Sequence, residues 1–396
     1  MIAMRPGGAL ILGADYRALG AARSLGRRGV PVWMLAERGE SLAMVSRYAR
    51  RSMHWPRRGD EYRVAFLREL AMSSGLAGWA LIPSSDAAAA MLARRRAELG
   101  DYFVQTTPPW DVVRWAYDKR LTYQLAERVG VACPATVHAG AGFDPATARM
   151  SFPAVLKPAI KEESNALTTA KAWRIDDRRE LERRYRAACD LIDPELLILQ
   201  ELIFGGGEAQ FSYATLCRDG VPLASLTARR TRQYPADFGR ASTFVETVEC
   251  PELVEPSLRL LRELRYTGLI ELEYKRDPRD GVFKLLDMNP RVWGWHTLCS
   301  RAGIDFPWLL WLLICNEDVP SPSARAGVGW LRFTTDTPTA IKELIHRRLA
   351  PREYARSLRR PRESAIFAWD DPLPGLAELP VLAYVLARRL LHGEAV

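Results

Sequence analysis

The chain has 396 residues, 48% hydrophobic and 26% charged, with a net charge of +9. That is enough apolar material for two or three packed units and too much for a disordered chain. No apolar run reaches the ~18 residues of a membrane span: the strongest candidate, 306–315, reads as a buried helix, and 1–8 lacks the apolar core and cleavage site of a signal peptide, so a cytoplasmic protein is expected.

In chain order, a short strand at 9–12 is followed by an amphipathic helix at 16–28 and a second strand at 30–35. Similar apolar runs recur at 80–83 and 102–105. Strands alternating with helical patterns imply a parallel sheet wrapped by helices, so residues 1–115 are expected to form a doubly wound parallel α/β domain. The turn after the first strand, Gly13-Ala-Asp-Tyr-Arg-Ala-Leu-Gly20, is bounded by glycines but lacks the GxGxxG of a dinucleotide fingerprint. Glu37 follows the next strand where that motif places its ribose-binding acid, which leaves an NAD(P)-dependent oxidoreductase as an alternative. A helix at 118–129 stops at Gly130, and Val131-Ala-Cys-Pro134 leads out extended. From residue 152 the pattern changes to alternating apolar strands with helices between them. Pro320-Ser-Pro-Ser-Ala-Arg-Ala326 reads as a linker into a C-terminal appendix, whose apolar stretch 379–391 packs on the body or on a partner.

The most specific segment is Gly268-Leu-Ile-Glu-Leu-Glu-Tyr-Lys-Arg-Asp277 followed by Pro-Arg-Asp-Gly and Val282-Phe-Lys-Leu-Leu-Asp-Met-Asn-Pro-Arg291. Two alternating apolar runs flank turn-forming residues, which predicts a β-hairpin. Successive side chains point to opposite faces, so Glu271 and Glu273 share a face, as do Asp287 and Asn289. A loop centred near Asp280 sets Glu273 opposite Asp287 and Glu271 opposite Asn289. Three carboxylates and an amide oxygen then converge beside Arg291. Like charges so placed repel unless a cation lies between them, and hard oxygen ligands suit Mg2+.

Leu285-Leu-Asp-Met-Asn-Pro-Arg291 resembles the metal-binding signature of the ATP-grasp superfamily, which includes biotin carboxylase, carbamoyl phosphate synthetase and D-alanine–D-alanine ligase. Glu273 matches the upstream metal-ligand position, and Asp287 stands where the family more often has Glu. The resemblance implies a two-lobed ATP-grasp fold after the N-terminal domain: a first lobe at 116–198, a second at 199–320 and an appendix at 321–396. It further implies that Glu273, Asp287 and Asn289 hold Mg2+ against the phosphates of ATP, and that Arg291 stabilises the transferring phosphate. Lys119 and Lys157, the latter ending the apolar strand Phe152-Pro-Ala-Val-Leu-Lys157, are similar to the family's two phosphate-contacting lysines, with Lys171 a further contact or a surface residue. Gln200, Glu201 and Ile203 resemble the adenine hinge, and Glu208 the acceptor for the ribose hydroxyls. Arg230 and Arg232 share a face by alternation, and Arg232 is the one expected to bind the γ-phosphate or the acceptor carboxylate. Trp293, Trp295 and His296 either line the substrate cleft or pack into the core.

Within the superfamily, the hairpin sequence and Arg232-Gln-Tyr-Pro235 are similar to carboxylate–amine ligases, D-aspartate ligase-like proteins among them. The implied reaction joins a small-molecule carboxylate to an amine, expected to be an amino acid, through an acyl phosphate with release of ADP; a homodimer is compatible. Where the family carries a glycine-rich lid, this chain has the glycine-free segment 161–169, which leaves open a nucleotide-binding regulator without turnover. The six cysteines are scattered without a CxxC pair, which excludes a zinc ribbon or a disulfide framework. Arginine clusters such as Arg94-Arg95-Arg96 and Arg359-Arg360 lack interleaved aromatics, so no nucleic acid is expected.

Overall fold

The computed structural model describes residues 5–37, 42–56, 59–160, 165–234, 241–359, 362–380 and 383. Parts of three sequence readings lie outside these residues: the leader reading at 1–4, the lid at 161–164, and most of 379–391.

The N-terminal unit is a five-stranded parallel sheet of β1 (Ala9–Leu12), β2 (Val32–Ala36), β3 (Arg51–His54), β4 (Ala80–Pro83) and β5 (Val104–Gln105), in the order β3-β2-β1-β4-β5. Strands β1 and β4 are buried at every position because helices cover both faces, as their unbroken apolar runs require. The strand order reverses between β1 and β4, so the loops leaving these two strands diverge and open a crevice at their carboxyl ends. Each loop starts a helix. Asp15 caps Tyr16–Gly26 through the amides of Arg17 and Ala18, and Ser85 caps Asp86–Arg94 through the amide of Ala88. Gly20, in the first helix, is a packing glycine: an added Cβ would lie 2.5 Å from Thr297 Cγ2 and 2.7 Å from the His296 ring.

The second unit is a four-stranded antiparallel sheet of β6 (Thr136–His138), β7 (Ala154–Pro158), β8 (Trp173–Ile175) and β9 (Leu197–Glu201), ordered β6-β9-β7-β8. It has a core of its own, including Leu156, Leu181 and Leu199. Because β9 ends at Glu201, this lobe runs past the boundary expected at 198.

The third sheet has seven strands: β10 (Gln210–Arg218), β11 (Val221–Tyr234), β12 (Ala241–Thr247), β13 (Gly268–Arg276), β14 (Phe283–Asn289), β15 (Gly329–Leu331) and β16 (Arg362–Ser364), ordered β14-β13-β10-β11-β12-β15-β16. Strands β13 and β14 form the expected hairpin, with Glu271 opposite Asn289 and Glu273 opposite Asp287. The pairing then slips from Glu273/Asp287 to Tyr274/Leu285, so a bulge at Leu286 bends β14 just beside the acids. Strands β15 and β16 complete the sheet, so the described part of 321–396 is built into the fold rather than appended. One hydrophobic core joins the N-terminal helix (Leu19, Leu25), the buried tryptophans Trp293 and Trp295, the helix Phe306–Ile314, and Trp330, Ala365 and Ile366 of the C-terminal segment. The N-terminal domain and the large sheet therefore form one frame against which the small lobe stands.

Candidate active site

A cavity of about 540 Å3 lies where the three units meet. The large sheet supplies Arg230, Glu271, Glu273, Asp287, Asn289, Arg291 and Trp295, the small lobe Lys157, Lys171, Gln200, Glu201 and Ile203, and the N-terminal domain Tyr16, Arg17, Ser85 and Asp86. Lys119 enters from the first turn of the helix Lys119–Arg128, whose N-cap is Asp118.

The floor is the acidic face of the hairpin. Glu271 is 2% exposed, and its Oε1 accepts from Ser212 Oγ at 2.8 Å and from Trp295 Nε1 at 2.9 Å. Asn289 Nδ2 donates to Glu273 Oε1 at 2.9 Å and to Glu271 Oε2 at 3.2 Å. Burial, and then the neighbouring Glu273, push the Glu271 carboxyl up to about 7. For Glu273 burial also works against the charge, but Arg230, 3.2 Å away, and then Lys171 outweigh it and hold the carboxyl below its ordinary value.

Cations ring this floor. Lys119 Nζ donates to Asp287 Oδ1 at 2.7 Å, and this partner keeps the ammonium charged against burial. Lys157 Nζ, at the end of β7, donates to Gln200 Oε1 at 2.7 Å and to Tyr123 Oη at 3.0 Å, two neutral acceptors. Arg291 bridges to the N-terminal domain: its Nε donates to Asp86 Oδ1 at 2.8 Å and its NH2 to Asp86 Oδ2 at 3.0 Å. A third bond from NH2 reaches Asn289 Oδ1 at 2.9 Å. Burial opposes the charge of Asp86, and Arg291 overcomes it. Arg17 is bonded to Asp15, its Nε donating at 2.6 Å. The cavity thus presents fixed positive charge from three directions over a buried acidic floor, an arrangement suited to a polyanion that arrives with its own counter-cation.

No protein-family model matches the sequence, and no curated protein matches it. Solved structures do match in three dimensions. Biotin carboxylase from Campylobacter jejuni, in its β-γ-ATP complex, superposes with a TM-score of 0.65 over 83% of this chain and 75% of its own, at 17% identity. L-Amino acid ligase from Bacillus licheniformis gives 0.61 over 78% and 74%, also at 17% identity. N5-Carboxyaminoimidazole synthetase from Staphylococcus aureus gives 0.61 over 80% and 79%, at 11% identity. The fold is ATP-grasp.

Most residues singled out in the sequence line the cleft of this ATP-grasp fold: Lys119, Lys157, Lys171, Gln200, Glu201, Ile203, Glu273, Asp287, Asn289 and Arg291. Two do not. Arg232 points out of the cleft, where Nε and NH2 each donate to Asp336 at 2.8 Å and the pair is 7% and 0% exposed. Alternation fails because β11 is bulged: Arg230 faces Val245 and Arg232 faces the next residue, Phe244, so Thr231 is extra and the two arginines lie on opposite faces. Arg230 is the one in the cleft. Glu208 is exposed outside the lining and turns back to accept from the Gly206 amide at 2.8 Å, closing its own glycine turn. The Glu201 side chain is already engaged with Lys284 at 2.6 Å and Arg279 at 3.1 Å, and its amide donates to the Ala135 carbonyl at 2.9 Å.

The metal set of Glu273, Asp287 and Asn289 is not gathered into a cage, and among the described residues no three acidic, histidine or cysteine side chains are placed to hold an ion. The reason is visible in the bonds: Lys119 takes Asp287, while Arg230 and the Asn289 amide take Glu273. Mg2+ characteristically uses one or two carboxylates and completes its shell with phosphates and water. Asp287 and Glu273, opposite each other on the hairpin, fit that donor set. The remaining aromatic readings resolve separately. Trp295 lines the cleft, whereas Trp293 and His296 are core residues, His296 Nε2 lying 3.0 Å from the Arg17 carbonyl.

Arg17, Asp86, Tyr123 and the inward side of Glu271 were not assigned roles from sequence. Glu271 carried a signal, sharing the Glu273 face. Arg17 and Asp86 carried only the caps Asp15 and Ser85, whose meaning depends on β1 and β4 being neighbours.

Proposed function

We propose that this chain is an ATP-dependent carboxylate–amine ligase. The observation that carries this reading is the meeting of Lys119, Lys157 and Arg291, from three different elements, over the paired acids Glu273 and Asp287 in one cavity. A nucleotide fits between the small and large lobes, with adenine against Ile203 and the backbone after Gln200, and the phosphates between Lys157 and Lys119. Asp287 and Glu273 would hold Mg2+, whose chemistry is to neutralise phosphate charge and polarise the transferred phosphoryl group.

The chain's own groups then have defined tasks. Lys157 exchanges its neutral partners Gln200 and Tyr123 for phosphate oxygens. Lys119 leaves Asp287 for phosphate, which frees that carboxylate as a ligand. Arg291 holds the acid substrate in line and neutralises charge during transfer. A carboxylate oxygen attacks the γ-phosphorus and ADP leaves. The amine nitrogen then attacks the acyl carbon, the carbon–oxygen bond to phosphate breaks, and the nitrogen gives up its proton to the departing phosphate, leaving the amide. The small lobe, with its separate core, is the element able to close over the cleft and keep water from the acyl phosphate.

The reading is tested by ADP release across amino acids paired with candidate carboxylates, with Asp287→Ala and Arg291→Ala as controls. ADP release dependent on both an acid and an amine, lost in both variants, supports it. Full activity in either variant removes this site, and tight ATP binding without any substrate-dependent ADP release selects the regulator. The nicotinamide reading is disfavoured by its own acid, since Glu37 accepts from Arg63 at 2.7 Å.

A further inference from the structure

The C-terminal segment carries a surface that this chemistry leaves unused. Among the described residues, fifteen large hydrophobic side chains are exposed, and eight of them fall between Phe333 and Leu379. On the helix Phe333–Ile345, Phe333, Ile341 and Ile345 follow one ridge at spacings of eight and four, and are 58%, 50% and 73% exposed. The helical segment from 373 shows Leu373, Leu376 and Leu379 at spacings of three, each more than half exposed. Between them Trp369 is 90% exposed, its ring edge-on to Phe367 at 5.0 Å.

These elements are neighbours. Thr334 Oγ1 donates to Glu378 Oε1 at 2.6 Å, and Gly375 lies on Phe367, where an added Cβ would sit 2.9 Å from the ring. They are also fastened to the body. Arg232 binds Asp336 and donates to Ser357 Oγ at 3.1 Å, and Arg23 binds Asp371 at 2.9 Å with both side chains buried. These exposed apolar side chains are therefore carried on a fixed platform, and a concentration of exposed apolar surface of this kind marks an interaction site.

Charge identifies the partner. From 342 to 362 the sequence has eight Lys or Arg against two Glu, a net +6 in one short stretch. Lys342, Arg347, Arg348, Arg352, Arg356 and Arg359 are exposed, and Arg347 follows Ile345 within two residues. Aromatic and aliphatic side chains beside a basic stretch are the composition of a segment that lies in a membrane interface. A two-fold contact with a second copy would set two such +6 stretches against each other, because a symmetric interface repeats the same patch on both sides. We infer that this face seats the protein on an anionic lipid surface, with Trp369 and the aliphatic ridge entering the headgroup layer and the 342–362 arginines lying over lipid phosphates.

The test is flotation of the full chain with vesicles of phosphatidylcholine alone and of phosphatidylcholine mixed with phosphatidylglycerol. The expected result is recovery with the anionic vesicles at least about tenfold above the neutral ones, falling as salt is raised. Trp369→Ser with Ile345→Ser, and separately Arg352→Glu with Arg356→Glu, should each lower that recovery about tenfold, with Trp369→Phe retaining it. All these positions are exposed and outside the cleft, so melting temperature and vesicle-free ADP release should match the unsubstituted chain. Absence of flotation with anionic vesicles, or equal flotation of all variants, overturns the inference. So does sedimentation equilibrium in which the Trp369→Ser, Ile345→Ser chain turns from dimer to monomer without any lipid binding, which assigns the face to a second copy.

Discussion

Two residues apart on β11, Arg230 and Arg232 serve two different regions of the molecule. In the cleft, each pair keeps an accessible acid: Lys119 and Asp287 are 23% and 32% exposed, Arg230 and Glu273 11% and 21%, and Arg291 and Asp86 10% and 49%. At the fastening of the C-terminal segment, two pairs are closed: Arg232 and Asp336 are 7% and 0% exposed, and Arg23 and Asp371 6% and 1%. The chemistry of the pairs is the same. What differs is whether a third party can reach them. An accessible pair can exchange its partner for a phosphate, whereas a buried pair has no exchange available and acts as a rivet. A single inserted residue, Thr231, decides which arginine does which.

The largest expected effects test that contrast directly. Arg232→Ala leaves Asp336 buried without a counter-charge and should cost about 3–5 kcal/mol in denaturant unfolding. Replacing both partners, Arg232→Met with Asp336→Leu, should recover most of this loss. Arg230→Ala should keep the fold and lose turnover. If Arg232→Ala unfolded normally but failed to bind nucleotide, the division between the regions would be wrong.

Next in size are the cleft residues proposed to act during transfer. Arg291→Ala and Asp287→Ala should lower substrate-dependent ADP release by about 10²–10³-fold with unchanged melting temperature, the usual loss for a preorganised charge aimed at the transition state. Lys157→Ala removes one charge-assisted contact worth about 1.5–3 kcal/mol, so nucleotide affinity measured by calorimetry should fall about tenfold to a hundredfold. Tyr123→Phe, which removes a resting partner of Lys157 at 3.0 Å and a bond to the Leu286 carbonyl at 2.9 Å, should change it much less. Equal effects from these two would mean that Lys157 serves the lobe rather than the ligand.

Legibility in the sequence followed the range over which each residue's position is decided. The hairpin and its upper register could be read because a period of two and a turn-rich loop are local, and Glu273 does face Asp287. The alternation in 9–35 likewise marked the parallel sheet. Bulges are decided by packing, which residue types do not disclose; alternation alone therefore aims Arg232 into the cleft and carries no sign of the slip at Leu286. Arg17 and Asp86 belong to loops that meet only because β1 and β4 pair, a fact of topology that neither loop records. The C-terminal segment looked like an appendage because β15 and β16 are three residues each, too short to announce themselves.

The smallest predicted effect sits on β16, where a carboxyl is pushed the same way as the buried cleft acid Glu271 and opposite to Glu273. Burial pushes the Glu363 carboxyl up to about 7 from an ordinary 4.5, against the pull of Arg27, Arg23 and Arg301. A carboxyl raised on folding binds its proton more tightly in the native state than in the unfolded chain. Its stabilising contribution is therefore complete below pH 4.5 and declines as pH rises towards 7. In Glu363→Gln that decline should disappear, so stability minus that of the unsubstituted chain should increase across this window, by on the order of 1 kcal/mol after solvent screening of a partly exposed site. The cleft acid Glu273 is held in the opposite direction, below its ordinary value, as a carboxylate poised for a cation must be. Parallel stability curves for Glu363→Gln and the unsubstituted chain would show that the carboxyl in the middle of β16 is ionised and solvated like the accessible acids, and that the closed region is less closed than its arginine pairs suggest.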